Sequence, residues 1–153
     1  MRVRTVQTDD RREWLRLLRG LYAHSSEEEH RPSVDAFLDG RSHQELIPTA
    51  VFVCERSGGG LCGFLELSVR NYAEGCSGAT PHVESWYVDP DVRGNGVGGL
   101  LMTSAEQWAR QHGYTELASD TELTNEAGQQ AHHALGFEEV ERAVHFRKRL
   151  QSR

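Results

Sequence analysis

The chain contains blocks in which apolar residues recur at helical spacing and blocks in which they alternate with polar ones. Residues 2–7 alternate polar and apolar side chains, which predicts a half-buried strand. The next block has helical spacing and predicts a helix that Asp9 or Asp10 caps. The inward stripe of this helix is expected to consist of Trp14, Leu17, Leu18 and Leu21. A polar loop over residues 23–32 and a short helix from Ser33 are expected to follow.

The middle of the chain predicts a β-hairpin, a further strand and a long helix. Strands over residues 49–55 and 61–70 flank a glycine-rich turn, which predicts an antiparallel pair. A strand over 83–88 enters a second glycine-rich loop, and the helix after it is expected to end at Gly113. The buried face of that helix is expected to consist of Leu100, Leu101, Ala105, Trp108 and Ala109.

The remaining elements complete a mixed α/β pattern. They are a short strand at 116–119, a helix at 125–135 ended by Gly136, and two closing strands at 137–141 and 144–150. A length of 153 residues suits a single domain over residues 1–153. We therefore expect one α/β domain with a mixed, mostly antiparallel sheet flanked by helices.

Composition and charge narrow the classes of function. No apolar run approaches the roughly 20 residues that cross a membrane, and the N-terminus lacks the apolar core of a signal peptide, so we expect a cytoplasmic protein without a membrane partner. The net charge of −6 disfavours nucleic acid as a partner. The acidic run at 27–29 is interpreted either as an attraction for a cationic substrate or as a solvated loop. Cys54, Cys62 and Cys76 lack metal-ligand spacing, so we expect reduced thiols and no metal.

The passage from the strand at 83–88 into a helix through a glycine-rich loop predicts an anion site. Gly94, Gly96 and Gly98 remove side chains that would keep an anion away from the unpaired N–H groups of a helix start. Arg93 can add charge-assisted contacts. The spacing matches neither the phosphate loop of nucleotide hydrolases nor the dinucleotide fingerprint. The loop therefore predicts a site for a diphosphate other than that of ATP or NAD.

The order of elements and two motifs resemble the Gcn5-related N-acetyltransferase family. Arg93-x-x-Gly96-x-Gly98 is similar to that family's acetyl-CoA diphosphate loop, and Asn125 followed by Leu135-Gly136-Phe137 is similar to its second cofactor motif. The resemblance implies that the strand at 83–88 is splayed from its neighbour, and that the pantetheine arm of acetyl-CoA inserts between them. The implied cofactor-binding residues are Trp86, Tyr87, Val88, Arg93, Gly94, Asn95, Gly96, Val97, Gly98 and Asn125.

A narrower resemblance leads to the aminoglycoside 6'-N-acetyltransferases, enzymes of antibiotic resistance. It is carried by three segments, at residues 118–121, 132–142 and 146–149. It implies direct transfer of acetyl to the 6'-amine of the drug, a homodimer and no metal. The implied acceptor-binding residues are Tyr22, Tyr72, Glu84, Asp120 and Glu141, with Glu141 reaching the site of a partner subunit.

Acetyl transfer to an amine requires a deprotonated nucleophile, and two carboxylates are candidates for this task. We assign Asp120 to binding the reactive amine and Glu84 to binding or to proton removal through water. Either carboxylate could instead cap a turn or pair with an arginine. On a regular strand Glu84 would share a sheet face with Val88, unless a bulge intervenes.

Two further steps need a donor. The backbone N–H of Tyr87 or Val88 is the candidate for polarising the thioester carbonyl. His132 stands where the wider family often has a tyrosine, so it is the candidate general acid for the departing thiolate. Packing, a pantetheine contact or protonation by solvent are the alternatives for this position.

Two other functions remain open on the sequence. The same fold could acetylate a polyamine, a small metabolite amine or a protein amino group. A non-catalytic module that binds or senses coenzyme A is the further alternative.

Overall fold

The computed structural model describes residues 4–21, 26–40 and 49–149, without the side chains of Gly20 and Leu21. Its internal contacts divide the chain into two compact units, Met1–Ile47 and Pro48–Arg153. Each unit is described by itself.

The first unit contains two helices, α1 (Arg11–Leu21) and α2 (Glu27–Leu38). Leu15 and Val34 are each 1% exposed and form its buried centre, and Arg11 holds Asp35 through two hydrogen bonds of 2.6 and 2.9 Å. Leu17 is 58% exposed, so the predicted inward stripe of α1 was wrong at this position. The buried stripe includes Leu15, which the sequence analysis omitted.

The entry into each helix differs from the prediction. Residues 4–7 form no strand, and residues 1–3 lie outside the described residues. Asp10 instead closes a 3₁₀ turn over Thr8–Asp10 by accepting the N–H of Gln7 at 2.8 Å. Helix α2 begins six residues before the predicted Ser33, because Glu29 accepts both the N–H and the hydroxyl of Ser26. The acidic run that was interpreted as part of a loop is therefore the first turn of α2, where carboxylates favour the helix dipole.

The second unit contains a four-stranded sheet in the order β1-β2-β3-β4. The strands are β1 (Ala50–Glu55), β2 (Leu61–Arg70), β3 (Thr80–Val88) and β4 (Ala118–Ser119). The pairs β1–β2 and β2–β3 are antiparallel, and β3–β4 is parallel. The predicted hairpin and the mixed, mostly antiparallel sheet are confirmed.

Helix α3 (Val97–Gln111) packs on one face of this sheet, and α4 (Glu126–Ala134) follows β4. The core consists of Leu65, Leu67, Val83, Leu101, Met102 and Ala105. Leu100 is 64% exposed and does not belong to the buried face, whereas Met102 is 1% exposed and does. Gly113 ends α3 with a φ of +82°, as predicted.

A bulge in β3 decides which side chains face α3. Leu65 pairs with Trp86 and Leu67 with Val83, so β3 carries one extra residue, Glu84, between these pairs. Cross-strand partners share a face, which places Trp86 and Val83 on the core side. Glu84 is turned to the opposite face, where it bonds Arg70. The expectation for a regular strand, that Glu84 shares a face with Val88, does not hold because of this bulge.

Strands β3 and β4 separate soon after they meet. Their only described pairs are His82 with Ala118 and Val83 with Ser119. The part of β3 beyond Val83 has no β4 residue beside it in the described sheet. The C-terminal half of β3, where the resemblance implies a splay, thus has no paired strand on this side of the described sheet.

The predicted closing strands are absent from the described chain. Residues 137–149 form neither helix nor strand, and Val144 and Phe146 are 75% and 93% exposed. An extended segment becomes a strand only when its backbone finds a partner, and the described sheet offers none to these residues. Among the described helices, none has the length and apolarity to cross a membrane.

Candidate functional site

The glycine-rich loop after β3 forms an open cradle of backbone groups. Gly94 and Gly96 have φ values of +79° and +83°, and no atom lies within 4 Å of the position that a Cβ would take at either. Gly96 precedes the first turn of α3, whose first helical hydrogen bond runs from Leu100 N–H to the Gly96 carbonyl at 3.0 Å. The N–H groups of the first turn therefore lack helical acceptors and lie beside open space. This arrangement fits the diphosphate of coenzyme A.

Gly98 serves a different purpose from Gly94 and Gly96. It lies inside α3, and a Cβ there would stand 3.0 Å from Cζ2 of Trp86. Its missing side chain lets the start of α3 approach β3 closely. Gly98 thus supports the cradle by packing, which the spacing of the motif did not distinguish.

Two arginines hold the segment that leads from β3 into this loop. Arg93 donates from Nε to the Val88 carbonyl at 2.8 Å, and its guanidinium lies 5.6 Å from the ring centre of Tyr87. Arg56, in the β1–β2 turn, donates to Asp89 at 2.8 Å and to both oxygens of Asp91. The sequence analysis missed Arg56, because its partners lie more than thirty residues away.

His132 on α4 lies beside the point where β3 and β4 separate. Its Nδ1 is 2.7 Å from the Gly128 carbonyl, and its Nε2 is 2.7 Å from Oγ of Ser119. A carbonyl only accepts, so Nδ1 carries the proton of the neutral ring and Nε2 accepts the Ser119 hydroxyl. The ring also meets Trp86 edge-on at 5.3 Å. Both nitrogens of His132 are thus occupied, and Ser119 holds the one that a general acid would use.

Asn125 has a structural task in the described chain. Its Oδ1 accepts the N–H of Gly128 at 2.9 Å, and its Nδ2 donates to Oγ1 of Thr121 at 3.0 Å. These bonds cap α4. Its predicted contact with the cofactor stays a prediction.

An ion pair holds Glu84 on the face of the sheet opposite α3. Arg70 donates from Nε and Nη2 to the two carboxylate oxygens at 2.8 and 2.7 Å. The hydrogen bonds from Arg70 lower the pKa of Glu84, although partial burial acts against them. Glu84 is therefore a stable anion and a weak base. The alternative in which it pairs with an arginine is the one that the structure shows.

His82 joins the two candidate carboxylates. Its Nδ1 lies 3.6 Å from Oε1 of Glu84, and its Nε2 lies 3.5 Å from Oδ2 of Asp120. The side chain is 6% exposed, and burial lowers its pKa, with Arg70 acting in the same direction. The sequence analysis missed His82, although its place two residues before Glu84 was a usable signal.

The remaining predicted acceptor residues that the structure describes are exposed. Asp120 is 78% exposed and contacts His82. Tyr72 is half-exposed and Glu141 is exposed. Tyr22 lies outside the described residues.

Known proteins resemble this chain over most of its length. Over 97% of its length the chain is 44% identical to an aminoglycoside N(6')-acetyltransferase type 1 of Klebsiella aerogenes, of which it covers 96%. It is 34% identical to the protein of the same name from Serratia marcescens, over 90% of the chain and 91% of that relative.

A solved structure gives the same result for the fold. It is AAC(6')-Iy in complex with the bisubstrate analogue CoA-S-monomethyl-acetylneamine, with a TM-score of 0.63 and 30% identity over 96% of this chain and 97% of that one. Residues 10–137 match the acetyltransferase (GNAT) family. The fold that the sequence predicted is thereby confirmed, and the chain belongs to the acetyltransferase (GNAT) family.

Proposed function

We propose that the protein is an acetyl-CoA-dependent aminoglycoside 6'-N-acetyltransferase that confers resistance to these antibiotics. The observation that carries the proposal is the division of tasks along β3. The strand ends in the Gly94–Gly96 cradle, whereas its bulge directs Glu84 toward His82, the neighbour of Asp120. A diphosphate site and an acidic amine site thus flank the gap between β3 and β4. The resemblance to the two curated relatives supports the aminoglycoside as acceptor.

The cofactor side uses mainly backbone groups. The N–H groups at the start of α3 bind the diphosphate, with Arg93 beside them and Asn95 and Val97 within the loop. Trp86, Tyr87 and Val88 line the gap that receives the pantetheine arm. Bound acetyl-CoA supplies the acetyl group as a thioester. The N–H of Tyr87 or Val88 polarises its carbonyl.

The acceptor side uses side chains. Asp120 binds the ammonium of the substrate, while Glu84 adds fixed negative charge because Arg70 keeps it ionised. After it has lost a proton, the amine attacks the thioester directly. Tyr72 provides aromatic surface for a sugar ring.

Protonation of the departing thiolate is assigned to His132 acting with Ser119. The 2.7 Å hydrogen bond between Nε2 and Oγ places a hydroxyl proton donor beside the gap. In this step the imidazolium of His132 gives its Nε2 proton to Oγ of Ser119 as the Ser119 hydroxyl gives its own proton to sulfur, so the serine ends as a hydroxyl and His132 as the neutral ring.

The working unit that we propose is a homodimer. The tail over residues 137–149 has exposed apolar side chains, including Val144 and Phe146. An open cavity of about 880 Å³ lies beside β4 and is lined by Tyr114, Glu116 and Val140, among others. Pairing of such tails would cover the apolar residues and bring Glu141 to the acceptor site of the partner subunit.

The test measures thiol release from acetyl-CoA by the purified protein, with mass analysis of each product. Tobramycin, kanamycin and gentamicin are compared in parallel with spermidine and a lysine peptide. Single acetylation of the 6'-amino drugs at the highest kcat/KM is the expected result. A preference for spermidine or the peptide would move the acceptor to another amine, and binding of acetyl-CoA without turnover would indicate a sensor.

A further inference from the structure

His82 is a buried imidazole whose two nitrogens both face carboxylates. The Nδ1 atom lies 3.6 Å from Glu84 and has no hydrogen-bond partner, although it is inaccessible to solvent. The Nε2 atom lies 3.5 Å from Asp120, which is 78% exposed. One side of the ring is therefore closed within the protein, and the other faces a group that solvent and ligands reach.

The role that we assign to His82 depends on how many protons its imidazole ring carries. A neutral imidazole carries one N–H, so only one of its nitrogens can donate to a carboxylate. The other directs a lone pair at a second carboxylate, which is repulsive unless a hydrogen-bond donor lies between them. No ligand reaches the closed side, so the N–H belongs on Nδ1, facing Glu84. The lone pair of Nε2 and the carboxylate of Asp120 then form two adjacent acceptors without a donor.

An ammonium group supplies the donors that this arrangement lacks. It carries three N–H bonds and one positive charge, and can donate to Nε2 and to Asp120 at once. We propose that His82 is a catalytic residue that binds the acceptor ammonium together with Asp120 and removes its proton. This inference rests on the proposed function, because it concerns the amine that the enzyme acetylates.

The step balances as a simple proton transfer. One N–H bond of the ammonium breaks, its electron pair stays on the amine nitrogen, and a bond between the proton and Nε2 forms. The neutral amine then attacks the thioester carbon. The imidazolium lies between Glu84 and Asp120, whose negative charges stabilise it. The proton later passes to water through the exposed side of Asp120.

The charges around His82 favour it over Glu84 as the proton acceptor. Three charged groups face the ring in the described structure: Arg70 from β2, Glu84 from β3 and Asp120 after β4. Both oxygens of Glu84 already accept hydrogen bonds from Arg70. Burial and Arg70 lower the pKa of His82, so the free ring is neutral at and above its ordinary titration range. Glu84 and Asp120 act on the pKa of His82 in the opposite direction, so their charges stabilise the imidazolium once the substrate delivers a proton.

The experiment compares His82→Gln and His82→Phe with the control His133→Gln, which changes an exposed histidine on α4. The value of kcat/KM for tobramycin is measured across about pH 5 to 9, together with the KM for acetyl-CoA. We expect both His82 variants to lose about 10²-fold in kcat/KM for the amine, with the KM for acetyl-CoA changed less than about twofold. The fall in kcat/KM at low pH that comes from protonation of His82 should also disappear in His82→Gln.

A second measurement does not depend on a folded variant. In the wild-type protein with labelled histidine, binding of tobramycin should shift the Nε2 resonance of His82 from that of a free lone pair toward that of a hydrogen-bonded nitrogen. Unchanged kinetics and pH profile in His82→Gln, or an unshifted resonance, would overturn the inference while wild-type turnover leaves the proposed function intact. Absence of acetylation by the wild type would instead overturn the proposed function, and the inference with it.

Discussion

The C-terminal end of β3 and its bulge at Glu84 lie beside the two proposed binding sites, and the groups that they offer to a ligand differ. After its C-terminal end, the groups that we propose to bind the cofactor are backbone N–H groups beside glycines at positive φ. At its bulge, the groups that we propose to bind the amine are the side chains of Glu84, His82 and Asp120, which ion pairs and burial hold in place. A side chain added at the cofactor end would therefore occupy the space of the diphosphate, whereas the acceptor end depends on charge and on protonation. This difference predicts which substitutions affect which substrate.

The largest effect is expected for Gly96→Glu. A carboxylate in the cradle would oppose the diphosphate, and close like charges cost several kcal/mol, so the Kd for acetyl-CoA should rise by more than about 10²-fold. The measurement is calorimetric titration of a variant whose fold is checked by circular dichroism. Gly59→Glu is the matched control, since Gly59 has a φ of +92° and an equally open Cβ position but lies in the β1–β2 turn. Equal acetyl-CoA binding by the two variants would contradict the cradle.

The second largest effect is expected for Asp120→Ala, and it should change the KM for the amine but not the binding of acetyl-CoA. Asp120→Ala removes one of the acceptors for the ammonium, so the KM for tobramycin should rise about tenfold or more, while the Kd for acetyl-CoA stays constant. Steady-state kinetics with each substrate varied in turn measure both values. The control is Glu122→Ala, which removes an exposed acidic side chain two residues away. A matching loss in the control would reduce the role of Asp120 to general negative charge.

The third effect, expected for Arg70→Gln, is on the protonation of Glu84 and His82, because Arg70 is not among the groups proposed to bind the amine. Arg70 lowers the pKa of Glu84 and of His82, so Arg70→Gln should raise both. More of each group is then protonated at low pH, and the acidic fall in kcat/KM should move to higher pH. We expect a several-fold loss near about pH 6 and little change near about pH 8. Arg110→Gln, which breaks an exposed pair with Glu106, is the control. If the fall in kcat/KM at low pH stays at the same pH in Arg70→Gln, Arg70 does not influence the proton transfer.

The smallest effect concerns packing behind the cradle. Alanine normally stabilises a helix relative to glycine by about 1 kcal/mol, and Gly99→Ala should show this gain because its nearest neighbour, Leu135, is 3.8 Å away. Gly98→Ala should lose the gain, because its Cβ would lie 3.0 Å from Trp86. Urea unfolding should therefore separate the two variants by about 1 to 2 kcal/mol. Equal stability would mean that Trp86 moves aside without cost.

The sequence predicted best those features that depend on local chemistry. The hairpin, the glycine loop and the end of α3 at Gly113 follow from glycine positions and short periodic runs, and they are confirmed. Glu84 and Asp120 were identified as candidates by resemblance, and the structure connects them through His82. Their roles stay predictions.

The features that the sequence missed depend on partners distant in the chain. A bulge is a register shift between two strands, so no pattern within β3 alone reveals that Glu84 leaves the face of Val88. The predicted stripe of α1 was wrong at Leu17 and omitted Leu15. Leu17 lies at helical spacing from Trp14, and Leu15 lies at helical spacing from Leu18, so the periodicity alone does not choose between them. The early start of α2 was readable in Ser26 and Glu29, whose spacing is a capping box, but the polar composition of the segment obscured it.

The two-residue ladder between β3 and β4 has a consequence for the energetics of ligand capture. In a longer ladder, the hydrogen bonds between the strands would have to break before the pantetheine arm could enter, and they would compete with the hydrogen bonds to the ligand. Here only two residue pairs join the strands, so little of the sheet has to be rearranged when the ligand arrives. Little conformational entropy then remains to be lost, and the affinity for the cofactor reflects preorganisation of the strands as much as the contacts they make.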